Sequence, residues 1–212
     1  MTEPQSVNLW STEAHVLDYL RRADSIPHRV DGEACLLECL PGGVTRILDL
    51  GSGAGRMIEL TRTVRPDAQF VALDFSATML DALQKAYSRD RSVTIIAHDF
   101  DQTLPDIGRF DAVISSFAIH HLVHERKRAL YQEIFEIVAP RGVFCNLEHV
   151  SSPTPGVHGQ FLAAIGWPDE DPSNKLLDLE TQLKWLREIG FQDVDCHWKW
   201  CELALFVGIK SA

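Results

Sequence analysis

The stretch Ile47–Arg56, I-L-D-L-G-S-G-A-G-R, limits the folds open to this 212-residue chain more than any other. It starts as an apolar strand, passes through Gly51, Gly53 and Gly55, and enters a helical pattern on Met57, Ile58, Leu60, Thr61 and Val64. Glycine permits positive φ and close backbone approach to a ligand. The free N–H groups of the following helix start then face that ligand. The dinucleotide fingerprint of nicotinamide and flavin proteins is G-x-G-x-x-G. Here the third Gly comes one residue early, Arg56 stands where it would fall, and Asp49 precedes the first Gly inside the strand. The form is D-x-G-x-G-x-G. No Tyr-x-x-x-Lys dyad accompanies it, which further weakens a nicotinamide oxidoreductase.

Strands alternate with helices on either side of this turn, which predicts a mostly parallel, doubly wound α/β sheet. Helical spacing covers 9–23, with Ser11 a possible cap, and runs from Pro27 to about Leu40; Pro41-Gly42-Gly43 ends it. Residues 1–43 thus read as a helical cap ahead of strand 1 at 45–50. Its helix follows at 54–65. Strand 2, at 69–74, ends in Asp74, about twenty residues beyond the turn, where an acid accepts hydrogen bonds from a ribose diol. Asp74 can equally cap the helix at 76–88. Strand 3, at 93–97, leads to Asp99 and Phe100. The acid can accept from an adenine amino group, and Phe100 or Met79 can flank the ring. Strand 4 is at 110–115, a helix at 124–138 is stopped by Pro140-Arg141-Gly142, and strand 5 is at 142–148. Residues 151–178 hold four prolines and are too long for a plain connection; such inserts are commonly functional. A helix at 179–189 and two β-rich runs over 191–209 close the single domain, 1–212.

Composition narrows the partners. A net charge of −10 counts against a nucleic acid gripped through its phosphates. No apolar run has the length to cross a bilayer, and the opening M-T-E-P-Q-S-V-N-L-W lacks a signal pattern. Five cysteines without framework spacing read as reduced thiols, so a cytoplasmic setting is expected. Cys35 and Cys39 share a helix face and read as small core residues. His120, His121 and His124 lack a local acidic ligand, so no metal is expected there. Nothing selects an oligomer, and a homodimer is left open.

Five motifs in order resemble those of small class I S-adenosylmethionine (SAM) dependent methyltransferases, over nearly the full chain. D-L-G-S-G-A-G is similar to the family's first motif, L-D-F-S-A-T-M-L to the second-strand motif, and A-H-D-F to the adenine motif. F-D-A-V-I-S-S-F-A-I-H-H-L resembles the fourth-strand motif of the small-molecule branch. A-P-R-G-V-F resembles the turn before strand 5, with Arg141 replacing a Gly. The resemblance implies a seven-stranded sheet ordered 3-2-1-4-5-7-6 with strand 7 antiparallel. It implies SAM as cofactor and S-adenosylhomocysteine as product. Gly51, Ser52 and Gly53 would pass under the methionine part, Asp49 would help hold its amino group, and Asp74 the ribose. Phe75, Met79, Asp99 and Phe100 would form the adenine slot. The backbone oxygen of Ser115 or Ser116 would meet the amino-acid end. Tyr19, Arg22 and Arg29 are candidates for the SAM carboxylate, since an Arg fork suits it; solvated Arg side chains are the alternative.

Ligands of open α/β sheets sit beyond the carboxyl ends of the strands. Ser115 to His121, Glu148, His149 and the 151–178 insert all project there. Methyl transfer needs alignment and exclusion of water, and a base only where the acceptor holds a proton. His120 and His121, then Glu148, are the base candidates; a turn cap and core packing are the alternatives. Trp198, Trp200, Phe161 and Trp167 are either core or an apolar wall for a small acceptor. The motifs leave open an enzyme that uses SAM without methylating, or a SAM-binding protein on the same scaffold.

Overall fold

The structure is a computed structural model describing residues 9–167 and 169–212. Residues 1–8 of the expected cap and Pro168 of the insert lie outside the described residues. The sheet has seven strands: β1 (Arg46–Leu50), β2 (Gln69–Asp74), β3 (Val93–Ala97), β4 (Phe110–Ser116), β5 (Val138–His149), β6 (Gln192–Trp200) and β7 (Leu203–Ile209). Their order is β3-β2-β1-β4-β5-β7-β6, as the resemblance implies. β1 through β5 pair in parallel, and β7 runs antiparallel to both β5 and β6.

The helices are α1 (Glu13–Arg22), α2 (Arg29–Glu38), α3 (Arg56–Arg62), α4 (Ala77–Tyr87), α5 (His124–Ile137), α6 (Pro155–Ile165) and α7 (Leu179–Ile189). They cover both faces of the sheet, so the central parallel strands are buried on both sides and read as continuous apolar runs. Alternate strand residues divide between two cores. Leu48, Leu50 and Val113 pack with Leu130, Ile134, Leu183 and Leu186 from α5 and α7. Ile47, Ala112 and Ile114 pack with Leu36, Met57, Ile58 and Leu83 from α2, α3 and α4. Asp49 lies on the Ile47 face at 1% exposure, a carboxylate where the pattern calls for an apolar side chain.

Several boundaries differ from the sequence reading, each for a local reason. The first helix is broken: Leu9–Ser11 is a 3-10 turn, and Thr12, not Ser11, precedes α1. Pro27 does not open α2; His28, at φ 61, does, and the helix starts at Arg29. α3 is shorter than 54–65, because Gly55 at φ 95 holds the turn open to residue 56. Pro140-Arg141-Gly142 is not a helix stop. α5 ends at Ile137, Val138 already pairs with Phe110, and the three residues form a register shift inside a longer β5. Arg141 is left-handed there, at φ 65. The segment 151–178 contains α6, which the prolines concealed. Thr154 caps it, accepting from the Val157 N–H, Pro155 takes the first turn, and Gly166 at φ 72 ends it.

Candidate active site

The glycine turn builds the first wall of a crevice of about 250 Å³ at the carboxyl ends of β1, β2 and β4. The N–H groups of Gly51 and Ser52 donate to the Leu73 carbonyl at 2.9 and 3.0 Å, tying the turn to β2. Gly51, at φ 70, passes so close to the β4 loop that an added Cβ would stand 2.2 Å from that of Ala118. Asp74 then locks the turn to the start of α4. Its Oδ2 accepts from the Gly53 N–H and its Oδ1 from the Ser76 N–H, both at 2.9 Å. The two sequence readings of Asp74 are therefore compatible: it organises the helix start and also faces the crevice. Burial raises its pKa, opposed by these backbone donors.

Phe75, Met79, Asp99 and Phe100 line the same crevice, with Gly51, Ser52 and Gly53. Asp49 lies beneath the turn. Neither of its oxygens has a hydrogen-bond partner among the described residues. Burial, and then the Asp74 charge, push it up to about 8. The Ser115 side chain is fully buried, and its hydroxyl donates to the Leu50 carbonyl at 3.0 Å. The neighbouring Ser116 lines the crevice, since β-strand alternation turns successive side chains to opposite sides.

The N-terminal segment covers the opening. Tyr19 and Arg29 line the crevice. Arg29 donates to Glu33 Oε1 at 2.7 Å and to the Tyr19 hydroxyl at 3.0 Å. Arg56 also donates twice to Glu33, at 2.6 and 2.8 Å, and lines the crevice too. Two guanidinium groups thus share one buried carboxylate, and Arg56 also donates to Asp24 Oδ1 at the rim, so the two cations and two carboxylates balance. Glu33 and Arg56 carried no motif signal; only the fold brings α2 against the glycine turn. Arg22 does not join them. It pairs with Asp18 one turn back, stacks over the Trp167 ring at 5.3 Å, and faces a second cavity.

That second cavity, about 210 Å³, adjoins the crevice. Trp10, Tyr19, Phe117 and His121 line both. Ile26, Phe161, Ile165 and Trp167 supply its apolar wall, and His120 and His149 its polar side. Trp198 packs against Gly32 and Leu147, and Trp200 against His28 and Phe161, so these two back the wall rather than form it.

His120 Nδ1 lies 2.6 Å from Glu148 Oε1. Glu148 is fully buried and meets the cavity through His120. Burial pushes Glu148 up to about 7 and holds His120 well below its ordinary value. His121 is also held down, by burial and by His120. Its Nδ1 lies 3.3 Å from the Ser173 hydroxyl, and its Nε2 is buried without a hydrogen-bond partner among the described residues. The loop that carries both histidines is pinned by a residue the sequence did not single out. Lys127, with no exposure, donates its ammonium to the carbonyls of His120, Leu122 and Lys175. Burial lowers its pKa to about 8.

These features fit an adenosyl amino acid. Gly53, at φ 53, brings its backbone to the crevice, where an added Cβ would stand 3.7 Å from the Met79 sulfur. The unpartnered Asp49 carboxylate suits an ammonium group, and Asp74 retains acceptor lone pairs for a diol.

Comparison with known proteins gives the same class. Residues 47–142 match a family described as a methyltransferase domain. That match spans the glycine turn and runs from β1 into β5. It is 23% identical to a carboxy-S-adenosyl-L-methionine synthase of Helicobacter hepaticus, over 91% of this chain and 90% of that protein. It is 27% identical to a demethylmenaquinone methyltransferase of Clavibacter sepedonicus, over 71% of this chain and 66% of that one. In fold it is similar to an O-methyltransferase family protein from Burkholderia thailandensis, with TM-score 0.75 and 15% identity. That match covers 96% of this chain but 62% of the longer protein.

Proposed function

We propose that the chain transfers a methyl group from SAM to a small-molecule acceptor in the second cavity, releasing S-adenosylhomocysteine. The observation that carries this is the shared wall. Trp10, Tyr19, Phe117 and His121 border both the glycine-turn crevice and an apolar-sided chamber. When bound, SAM supplies an electrophilic methyl group on a sulfonium. Gly51, Ser52 and Gly53 seat its chain, Asp49 meets its ammonium, and Asp74 its ribose. Phe75, Met79, Asp99 and Phe100 enclose its base. Arg29 and Tyr19, with Arg56, face its carboxylate.

The remaining work is alignment and exclusion of water. Phe161, Trp167 and Phe117 hold an apolar acceptor body. Where the acceptor carries a proton, His120 takes it and Glu148 steadies the resulting imidazolium, as a buried carboxylate behind a histidine does. Glu148 is thus a positioning residue. A cavity of about 210 Å³ and a net charge of −10 favour a small molecule over a nucleic acid. Its five free thiols fit a reducing, cytosolic compartment.

A second reading has one specific support. The Helicobacter hepaticus relative, matched over nine-tenths of both chains, is named for making a modified SAM. Mass spectrometry of products from labelled SAM, with and without candidate acceptors, separates transfer of methyl from alteration of SAM itself. Calorimetry tests the shared basis: SAM and S-adenosylhomocysteine are expected to bind one per chain, and Asp74→Ala to weaken both at least tenfold. Wild-type affinity in that variant removes the ribose assignment, and no binding by the wild type ends the proposal. His120→Ala is expected to keep cofactor affinity while turnover of a protonated acceptor falls by about 10²–10⁴.

A further inference from the structure

We propose that His149, Glu170 and Glu202 form a binding site for a divalent transition-metal ion at the wall of the second cavity. The three come from the end of β5, the segment after α6 and the β6–β7 turn. They are far apart in the chain, so no sequence spacing announces them. One ligand atom from each lies within 4.8 Å of the others. Bonds of about 2.0–2.2 Å in a tetrahedral site set neighbouring ligands roughly 3.3–3.6 Å apart, so only a small contraction is needed. This set is distinct from His120, His121 and His124.

The contacts within the cluster suit a cation. His149 Nε2 and Glu202 Oε2 are 2.8 Å apart, and both side chains are buried. His158 stands behind both carboxylates. Its Nδ1 lies 3.0 and 3.1 Å from the two Glu202 oxygens, and its Nε2 lies 3.2 Å from Glu170 Oε2. Yet that Oε2 is buried and has no hydrogen-bond partner among the described residues, so the imidazole N–H is not aimed at it. The Oε2 charge is left without a donor, and a cation between the two carboxylates supplies the missing partner. The ion-pair partners of Glu170 and Glu202 among the described residues are histidines, with no Lys or Arg.

The chemistry selects the ion. One imidazole with two carboxylates suits Zn²⁺, Mn²⁺ or Fe²⁺ better than an all-thiolate or an all-oxygen ion. Three protein ligands leave coordination positions open, as in catalytic sites. His149 and Glu170 line the cavity, so those positions face the space assigned to the acceptor. His158 acts as the outer partner that orients the carboxylates. An acceptor bearing oxygen donors is the class such an ion would hold.

The test needs neither SAM nor an acceptor, so it is independent of the transferase reading. The full chain, stripped with a chelator, is titrated with Zn²⁺ and separately with Mn²⁺ by calorimetry, with Mn²⁺ also followed by electron paramagnetic resonance. One ion per chain is expected at micromolar or tighter affinity for at least one metal. His149→Ala, Glu170→Gln and Glu202→Gln should each weaken it at least tenfold. Glu170 is partly exposed, so Glu170→Gln is the variant expected to keep the fold, with circular dichroism as the check. Zn²⁺ or Mn²⁺ should also raise the melting temperature of the wild type and not of Glu170→Gln. Absence of one-to-one binding by either ion, or unchanged affinity in a folded Glu170→Gln, overturns the site.

Discussion

Asp49 is the residue whose position makes least sense in the ligand-free chain. A carboxylate at 1% exposure without a partner favours its protonated form, and its pKa is raised to about 8. The folded state therefore binds more protons than the unfolded one between the ordinary value near 4 and about 8. Asp49 thus supports the fold below pH 4 and loses that contribution as pH rises through 8. Asp49→Asn is expected to melt above the wild type at pH 8, with the gap closing toward pH 4. Each 1 kcal/mol corresponds to about 2–4 °C in a chain of this size. The same variant should bind SAM more weakly, because the ammonium partner is gone. Scanning calorimetry across pH, with and without SAM, reads both. A wild type more stable than the variant at pH 8 contradicts the account.

At the scale of elements, the β1–α3 turn and the β4–α5 loop are held against each other without slack. Gly51→Ala would put a methyl group 2.2 Å from the Ala118 Cβ, at φ 70. Left-handed strain and overpacking together should cost about 2–5 kcal/mol. Denaturant titration measures it, and a loss under 1 kcal/mol would show that the loop yields easily. The loop itself hangs on Lys127. Replacing its ammonium with the apolar end of Lys127→Met leaves buried carbonyls of His120, Leu122 and Lys175 without their donor. A loss of about 2–4 kcal/mol is expected, because unsatisfied buried acceptors keep their desolvation cost. Turnover should fall more than cofactor affinity, since the histidines move while the glycine turn stays.

At the scale of the whole molecule, the N-terminal segment and the 151–178 insert meet over the two cavities. His15 pairs with Asp171 at 3.3 Å, Arg22 stacks on Trp167, and the Trp10 and His121 rings lie 5.2 Å apart. These few polar and ring contacts are weak beside the core. Opening of this cover should therefore cost much less than global unfolding. Amide exchange over 9–25 and 155–175 is expected to be faster than over β1 and β4, and to slow when S-adenosylhomocysteine binds. His15→Ala should speed exchange in both segments together. A change confined to one of them would mean that they do not act as a unit.

Sequence alone determined the alternation of strands and helices, the glycine turn, and the acids at the tips of β2 and β3, while the strand order came with the family resemblance. These are local matters: glycine where φ is positive, apolar runs where both sheet faces are covered, acids at strand ends. It also brought out His120 and His121, because they follow directly from β4. Tertiary structure decided the rest. It sent Arg22 to the second cavity and Arg56 to the crevice, and placed Glu148 behind His120. It made a helix of 155–165 inside a proline-rich segment and brought His149, Glu170 and Glu202 together. Side-chain direction and long-range pairing depend on how helices pack on the sheet, and no stretch of the chain carries that packing by itself.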